Sequence, residues 1–345
     1  MNYELIIPDT VWRDEELRPL INRDLTLPAL ATLYGKGQQQ HCPIGPMATA
    51  ADFLAQRLNY PSSSLTALAL AQDFPEAQPG YWLCCDPIHL RIDRDRLTML
   101  GVPLFQISQA EADALVAALN QQFADDGFLF VAVTPSRWYL RLPADPQLQF
   151  TPLADALGGN MQDYLPQGEQ ALQFNAVLNE IQMLLYGHRV NDERDAAGIA
   201  MINSVWLWGG AQVPTVVAPP VSPKVLGGDH RVAALAGAHW QSAPAVADLP
   251  AHDVTVVLDQ LSLDAIYGRA YEWRCQWEWL EQHWFAPLLA QLQAGQLQSL
   301  TLTLPSAGTK VRVSRLDLYR FWRARHDCRF KRICAAQAAW LGCID

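Results

Sequence analysis

The sequence predicts an α/β protein built in layers. Short apolar runs typical of buried strands alternate with longer segments of helical periodicity, and glycine and proline signals separate them. Half of the 345 residues are hydrophobic and only 17% are charged. Soluble chains usually carry about 25% charged residues, so the shortfall implies an extensive core or an interface. The composition excludes a disordered tail protein and a disulfide-stapled mini-domain. The length fits two domains, or one large α/β domain with an insert.

Tyr3–Ile7 reads as a buried strand stopped by Pro8. Residues 10–60 are mixed, with a Gly/Gln-rich loop at Gly35–Gln40. Tyr81–Cys85 reads as a strand closed by Asp86-Pro87. Ser108 and Glu111 form a capping box, and Ala112, Leu115, Val116, Leu119 and Phe123 recur at helical spacing behind it. Gly127–Val133 is an apolar, aromatic run typical of a central strand, with Arg137–Leu142 as its neighbour.

A second helix spans about 169–186, with Phe174, Val177, Leu178, Ile181 and Leu185 as its core stripe. Asn175, Asn179, Gln182 and Tyr186 share a neighbouring face at spacings of four, three and four. Asn203–Trp208 is strand-like and ends in Gly209-Gly210. The Pro/Val-rich stretch Val213–Pro223 is the best internal boundary, and it divides the chain into an N-terminal α/β region, residues 1–212, and a C-terminal one, residues 224–345.

Asp253–Leu258 is another buried strand. A third helix spans about 270–293, with Trp273, Trp277, Leu280, Trp284 and Leu288 on one face and Gly295 as its stop. Ser299–Leu304 and Thr309–Val313 form a hairpin, and a basic helix closes the chain. No internal repeat is present.

The net charge of −10 argues against nucleic acid, which needs a basic footprint. Positive charge concentrates in residues 310–332, a local net of +7 that leaves −17 for the rest. This segment is a solvated face pairing with the acidic body, or a docking surface for an acidic protein partner. No stretch is apolar enough to span a membrane, and the N-terminus lacks the pattern of a signal peptide. Seven cysteines without a CxxC pair point to reduced thiols in a cytoplasmic protein.

The densest polar cluster is Asn175, Asn179, His188, Asn191, Arg194 and Asn203, followed by Trp206, Trp208, Gly209 and Gly210. Arg194 can fork onto a carboxylate or phosphate, and the two glycines allow close backbone approach, so an anionic ligand is one reading. The other is that Asn191 and Asn203 cap turns and the tryptophans are core. Asp86, His89 and Asp93 form a secondary polar cluster, read as a satisfied turn because no converging third metal ligand is announced. Gly227-Gly228-Asp229-His230 has the look of a metal-site fragment, for which chance is a sufficient explanation. No GxSxG, P-loop, HExxH or GxGxxG motif is present.

Three stretches carry a resemblance: Trp82-Leu83-x2-Asp86-Pro87-Ile88-His89-Leu90-Arg91, Phe174-Asn175-x3-Asn179-Glu180-x-Gln182, and Asn203-Ser204-Val205-Trp206-Leu207-Trp208-Gly209-Gly210. They resemble bacterial RpfE-type regulatory proteins, which are often described as phosphoglycerate-mutase-like. His188-x-Val190-Asn191-x2-Arg194-x3-Gly198 is similar to the insert region of archaeal-type cofactor-independent phosphoglycerate mutases. The resemblance implies an alkaline-phosphatase-like layered sheet flanked by helices, with an inserted or appended α+β subdomain.

It also implies an early metal-binding Asp, a Ser or Thr nucleophile, and late Asp/His clusters holding two metals. Asp9 matches the early Asp only in a poor context, and Ser62–Ser64 or Thr49 lack a supporting motif. Pro305–Gly308 stands where Ser-Asp-His is expected. Two-metal phosphoryl transfer cannot run without those ligands. The expectation is therefore a catalytically degenerate, regulatory or binding protein with no assigned catalytic residue, metal or cofactor, and with an anionic phosphometabolite as its ligand. An active metal-dependent phosphomutase or phosphatase and a protein-interaction scaffold are the alternatives.

Overall fold

The run that opens the chain becomes a central strand, buried on both faces from Tyr3 to Ile6. The computed structural model describes all residues except 43–48, 62–64, 94–95, 102–103, 214–224, 238–239 and 321–345. The strands are β1 (Asn2–Ile6), β2 (Gln38–His41), β3 (Gly80–Asp93), β4 (Arg96–Gly101), β5 (Leu129–Thr134), β6 (Arg137–Leu142), β7 (Ser204–Val213), β8 (Val225–Gly227), β9 (Val254–Val257), β10 (Ser299–Leu304) and β11 (Thr309–Ser314). They form two sheets flanked by helices, a mixed α/β architecture.

The chain divides into two units. One combines residues 1–60 with 219–345, and the other is 61–218. This differs from the sequence-based division into 1–212 and 224–345. The reason is that β1 lies between β9 and β10, so the first residues belong with the last ones. A boundary placed by linker composition cannot show such a return.

The first unit holds the sheet β2-β11-β10-β1-β9-β8. Strands β8, β9, β1 and β10 run parallel, and β11 and β2 extend the sheet antiparallel. The segment expected as a Gly/Gln-rich loop is instead the end of the helix Pro28–Lys36 followed by β2. All four residues of β2 are exposed. A polar edge strand needs no apolar side chains, which is why it reads as a loop.

The Trp-rich helix is interrupted. Ala270–Leu280 is α-helical, Glu281–Phe285 is a π-helical turn, and Ala286–Ala294 resumes the α-helix up to Gly295, which ends it at φ 78°. Trp273, Trp277, Leu280, Trp284 and Leu288 are all buried, as expected. Each buried large side chain contributes about 1.5–3 kcal/mol. The π turn places the buried Glu281 carboxylate at the start of Pro28–Lys36, where it accepts from the Ala29 and Leu30 backbone N–H groups. That helix has no side-chain cap of its own, so a distant acid satisfies its first donors.

Glu4 is the one charge on β1. It accepts from Thr303 Oγ1 at 2.8 Å and Lys310 Nζ at 3.1 Å, and it pairs with Arg57 of the helix Ala50–Arg57. Two described basic residues near the C-terminus pair within the unit, Lys310 with Glu4 and Arg320 with Asp317. The expected basic segment is described only to residue 320, where Lys310 and Arg312 lie in β11 and Arg315 opens a short helix; the rest of it, and with it the rest of the docking face for an acidic partner, lies outside the described residues.

The second unit holds the sheet β4-β3-β6-β5, with β7 along the other side of β3. β3 does not stop at Asp86-Pro87 as expected. It continues to Asp93, because Pro87 falls in the gap between the β6 ladder at Tyr81–Cys84 and the β4 ladder at Ile88–Asp93. The helix Gln109–Gln122 carries the expected Ser108/Glu111 capping box. With Ala171–Tyr186, it closes one face of the sheet over a core that includes Leu83, Phe130, Trp138 and Leu207. Among the described residues Cys42, Cys84, Cys85 and Cys275 are thiols outside any disulfide, and no helix is long and apolar enough to cross a membrane.

Candidate functional site

Open α/β sheets bind ligands at the carboxyl ends of their parallel strands. In the first unit that edge gathers Asp9 and Thr10 after β1, Asp229 and His230 after β8, Asp259 after β9, and Ser306 after β10. Asp9 adopts φ 51°, a conformation uncommon for a residue with a side chain. Its carboxyl is pushed up by burial, against the opposite pull of Ser262 and Arg13. Arg13 NH2 lies 3.7 Å from Asp9 Oδ1, and Trp273 Nε1 donates to the Asp9 carbonyl at 3.1 Å. The Thr10 backbone N–H donates to Ser306 Oγ at 2.9 Å, and the two hydroxyls share a hydrogen bond, also at 2.9 Å.

Asp229 caps the helix His230–Ala236. Its Oδ1 accepts from the N–H groups of Arg231 and Val232, both at 3.0 Å. Its Oδ2 accepts from Arg231 Nε at 3.1 Å and NH2 at 2.9 Å. Burial pushes this carboxyl up, but Arg231, His230 and the Val232 N–H outweigh it and hold the group below its ordinary value. Asp259 is pushed up by burial and then by the negative charge of Asp229.

A two-metal centre needs several carboxylates and imidazoles with lone pairs aimed at the ions. Here Asp229 has both oxygens committed to the protein, and Asp9 is held by Ser262 and Arg13. Among the described residues no three His, Cys, Asp or Glu groups converge. The residues present at this edge do not fit such a centre. Thr49 caps its helix by a reciprocal bond with Asp52, and Ser62–Ser64 lie outside the described residues.

The residues singled out in the sequence lie in the second unit, and most of them hold backbone in place. Arg194 is 4% exposed; its Nε donates to Ala200 O at 2.8 Å, NH1 to Glu111 Oε1 at 2.7 Å, and NH2 to Gln106 O at 2.9 Å. The fork expected for an anion is closed on the protein itself. Asn191 is fully buried, donating to Leu185 O and Ile202 O and accepting from Ile202 N. His188 caps the helix Arg189–Ala196, its Nδ1 accepting from Val190 N at 3.2 Å. Asn203 mimics a strand partner, accepting from Leu90 N at 2.7 Å and donating to Leu90 O at 2.9 Å.

Trp206 Nε1 donates to Thr151 O at 2.9 Å, and Trp208 Nε1 to Asp86 Oδ2 at 2.6 Å. Gly209 and Gly210 do permit close approach, by the chain's own hydroxyls. A Cβ on Gly209 would lie 2.3 Å from Thr66 Oγ1, and one on Gly210 2.3 Å from Tyr81 OH. Asn175 is half-buried with Oδ1 unpartnered, and Asn179 is exposed.

Asp86 and His89 of the secondary cluster do not converge. Asp86 and His89 are three residues apart in β3 and so lie on opposite faces. Asp86 takes the Trp208 indole, and His89 Nδ1 bonds Met201 O at 2.8 Å, its imidazole pushed down mainly by burial. The backbone of Asp93 stands opposite that of Arg96 in the β3–β4 ladder.

The carboxyl edge is only glimpsed in the sequence, through Asp9 and the Gly227–His230 fragment. The signal that finds the rest is positional. Asp229 and Asp259 both follow short apolar runs that end in parallel strands.

No family model matches the chain. It is 29% identical over 129 residues to a probable 2,3-bisphosphoglycerate-independent phosphoglycerate mutase of Geobacter sulfurreducens, covering 37% of this chain and 32% of that protein. It is 28% identical over 110 residues to the enzyme of that name from Methanosarcina acetivorans, covering 31% of this chain and 28% of the relative. The matched stretch thus spans about a third of the relatives' own length. Among solved structures, a cofactor-independent phosphoglycerate mutase from Thermoplasma acidophilum aligns with TM-score 0.41 at 16% identity, over 90% of this chain and 89% of that one. A protein from Pyrococcus horikoshii aligns with TM-score 0.46 at 12% identity, over 91% and 87%. The sequence matches mark a distant, partial homology to cofactor-independent phosphoglycerate mutases.

Proposed function

We propose that this chain is a catalytically degenerate, phosphoglycerate-mutase-like protein of the alkaline phosphatase type. It binds an anionic phosphometabolite in a regulatory role, as the resemblance to RpfE-type proteins implies, and does not transform it. The observation that carries the proposal is the Arg231 guanidinium on Asp229 at the carboxyl edge of the parallel sheet. A cationic side chain already neutralises a carboxylate at this edge, and Arg13 sits beside Asp9 in the same way. Thr10 and Ser306 are buried and bonded to each other, so the guanidinium this edge offers to a phosphate ester is that of the exposed Arg13. Arg13 is held more loosely than Arg231, its ion pair with Asp9 measuring 3.7 Å.

The test is metal analysis of the purified protein, with thermal-shift titration of 3-phosphoglycerate and inorganic phosphate. Less than one equivalent of divalent metal is expected, with a melting temperature that rises with the phosphate ester and a rise that Arg13→Ala removes. Two tightly held metal equivalents per chain, or no response to either anion, would overturn the proposal.

A further inference from the structure

The helix Ala171–Tyr186 carries two apolar stripes. Phe174, Leu178, Ile181 and Leu185 are buried against the sheet. On the outside, Leu172, Ala176, Asn179, Met183 and Tyr186 follow at spacings of four, three, four and three. Leu172, Met183 and Tyr186 are 84%, 70% and 65% exposed. A mean spacing of 3.5 residues is that of a seam between paired helices, and large apolar side chains aligned in water mark an interaction surface.

We infer that this seam pairs with the same helix of a second copy of the chain, antiparallel about a two-fold axis at Asn179. Charge is the first argument. A chain of net charge −10 carries a net repulsion toward its copy, but the seam has no charged residue. Of the flanking positions Gln173, Asn175, Glu180 and Gln182, only Glu180 is charged, and its carboxylate accepts from Gln122 Nε2 at 2.6 Å.

Self-complementarity is the second argument. A two-fold axis at the midpoint sets Asn179 against itself, and an amide offers both a donor and an acceptor to its own copy. The same axis sets Leu172 across from Tyr186 and brings Ala176, three residues before it, near Met183, four after it, small beside large. A lone polar residue within an apolar seam is a known device for fixing pairing register.

The ends of the helix decide the orientation. Glu169 stands just before the helix and Arg189 just after it, at the start of Arg189–Ala196 where it pairs with Glu193 at 3.2 Å, and both are exposed. The antiparallel arrangement sets Glu169 of each copy by Arg189 of the other. A parallel one would set like charge on like. Sixteen residues give about 24 Å of contact, so the interface falls at the small end of specific ones and the dimer depends on concentration.

Sedimentation equilibrium of the full chain tests this. A reversible monomer–dimer equilibrium is expected. Met183→Glu and, separately, Leu172→Glu should each weaken it about tenfold or more while leaving the circular dichroism spectrum and melting curve of the monomer unchanged. Glu169→Arg and Arg189→Glu should each weaken it as well, and the double exchange should restore it. A wild-type chain that stays monomeric at the highest soluble concentration, or a dimer indifferent to both seam variants, would overturn the proposal. A dimer weakened by the seam variants but not restored by the double exchange would overturn the antiparallel arrangement.

Discussion

Arg194 and Glu111 are joined at 2.7 Å across 83 residues of chain, and this pair anchors the helix Arg189–Ala196 to the start of Gln109–Gln122. The same carboxylate closes the capping box on Ser108, through its other oxygen. One acid therefore finishes one helix and fastens another. Burial raises the Glu111 carboxyl, but the Ser108 bonds and Arg194 outweigh it and hold the group below its ordinary value.

Arg194→Ala should then act on stability. It removes a buried guanidinium with three internal bonds, and Glu111 is left partly solvated, so the loss is about 1.5–3 kcal/mol. Lysine restores the charge without the fork and should recover only some of it. Urea unfolding of the three proteins checks this. The variant's response to 3-phosphoglycerate in its folded range should match that of the wild type, since Arg194 is closed on the protein.

Gly209 gives a second test. Its φ is 72°, and a Cβ there would meet Thr66 Oγ1 at 2.3 Å. Gly209→Ala should cost about 1–3 kcal/mol, some from backbone strain and some from the clash. Removing the hydroxyl with Thr66→Ala relieves only the clash. The double variant should therefore be more stable than the sum of the single losses, a coupling that a double-mutant cycle in urea measures directly.

Glu4 predicts a pH dependence. Burial raises its carboxyl, but Arg57, Lys310 and Thr303 together hold it below the ordinary value of 4.5. A carboxylate depressed in the folded state contributes stability that is present above its unfolded pKa and is lost as pH falls through the folded one. The stability difference between wild type and Glu4→Gln should be largest above pH 4.5 and shrink steadily below it. A difference that stays constant down to strongly acidic pH would contradict the assigned charge network.

The features legible in the sequence are those whose causes are local. The Ser108–Glu111 box, the apolar stripe of the Trp-rich helix and the β10–β11 hairpin all depend on residues within a few positions of each other, and the structure has them. The polar cluster from Asn175 to Gly210 is visible as a density of polar groups, but its role is not. Asn203 bonds Leu90, 113 residues away, and Arg194 bonds Gln106, 88 away. Nothing in local spacing distinguishes a side chain reserved for a ligand from one already taken by distant backbone. The carboxyl edge is hidden for the same reason, since Thr10 and Ser306 become neighbours only through the pairing of β1 with β10.

The most direct test of the central claim is the interconversion of 3-phosphoglycerate and 2-phosphoglycerate by the full chain, assayed with Mn²⁺ supplied in excess. With Asp229 held by Arg231 and Asp9 held by Ser262 and Arg13, no turnover above the protein-free rate is expected. Metal-dependent interconversion that Asp9→Asn or Asp229→Asn abolishes, in protein that remains folded, would show that the carboxyl edge still holds a working centre and would contradict the account.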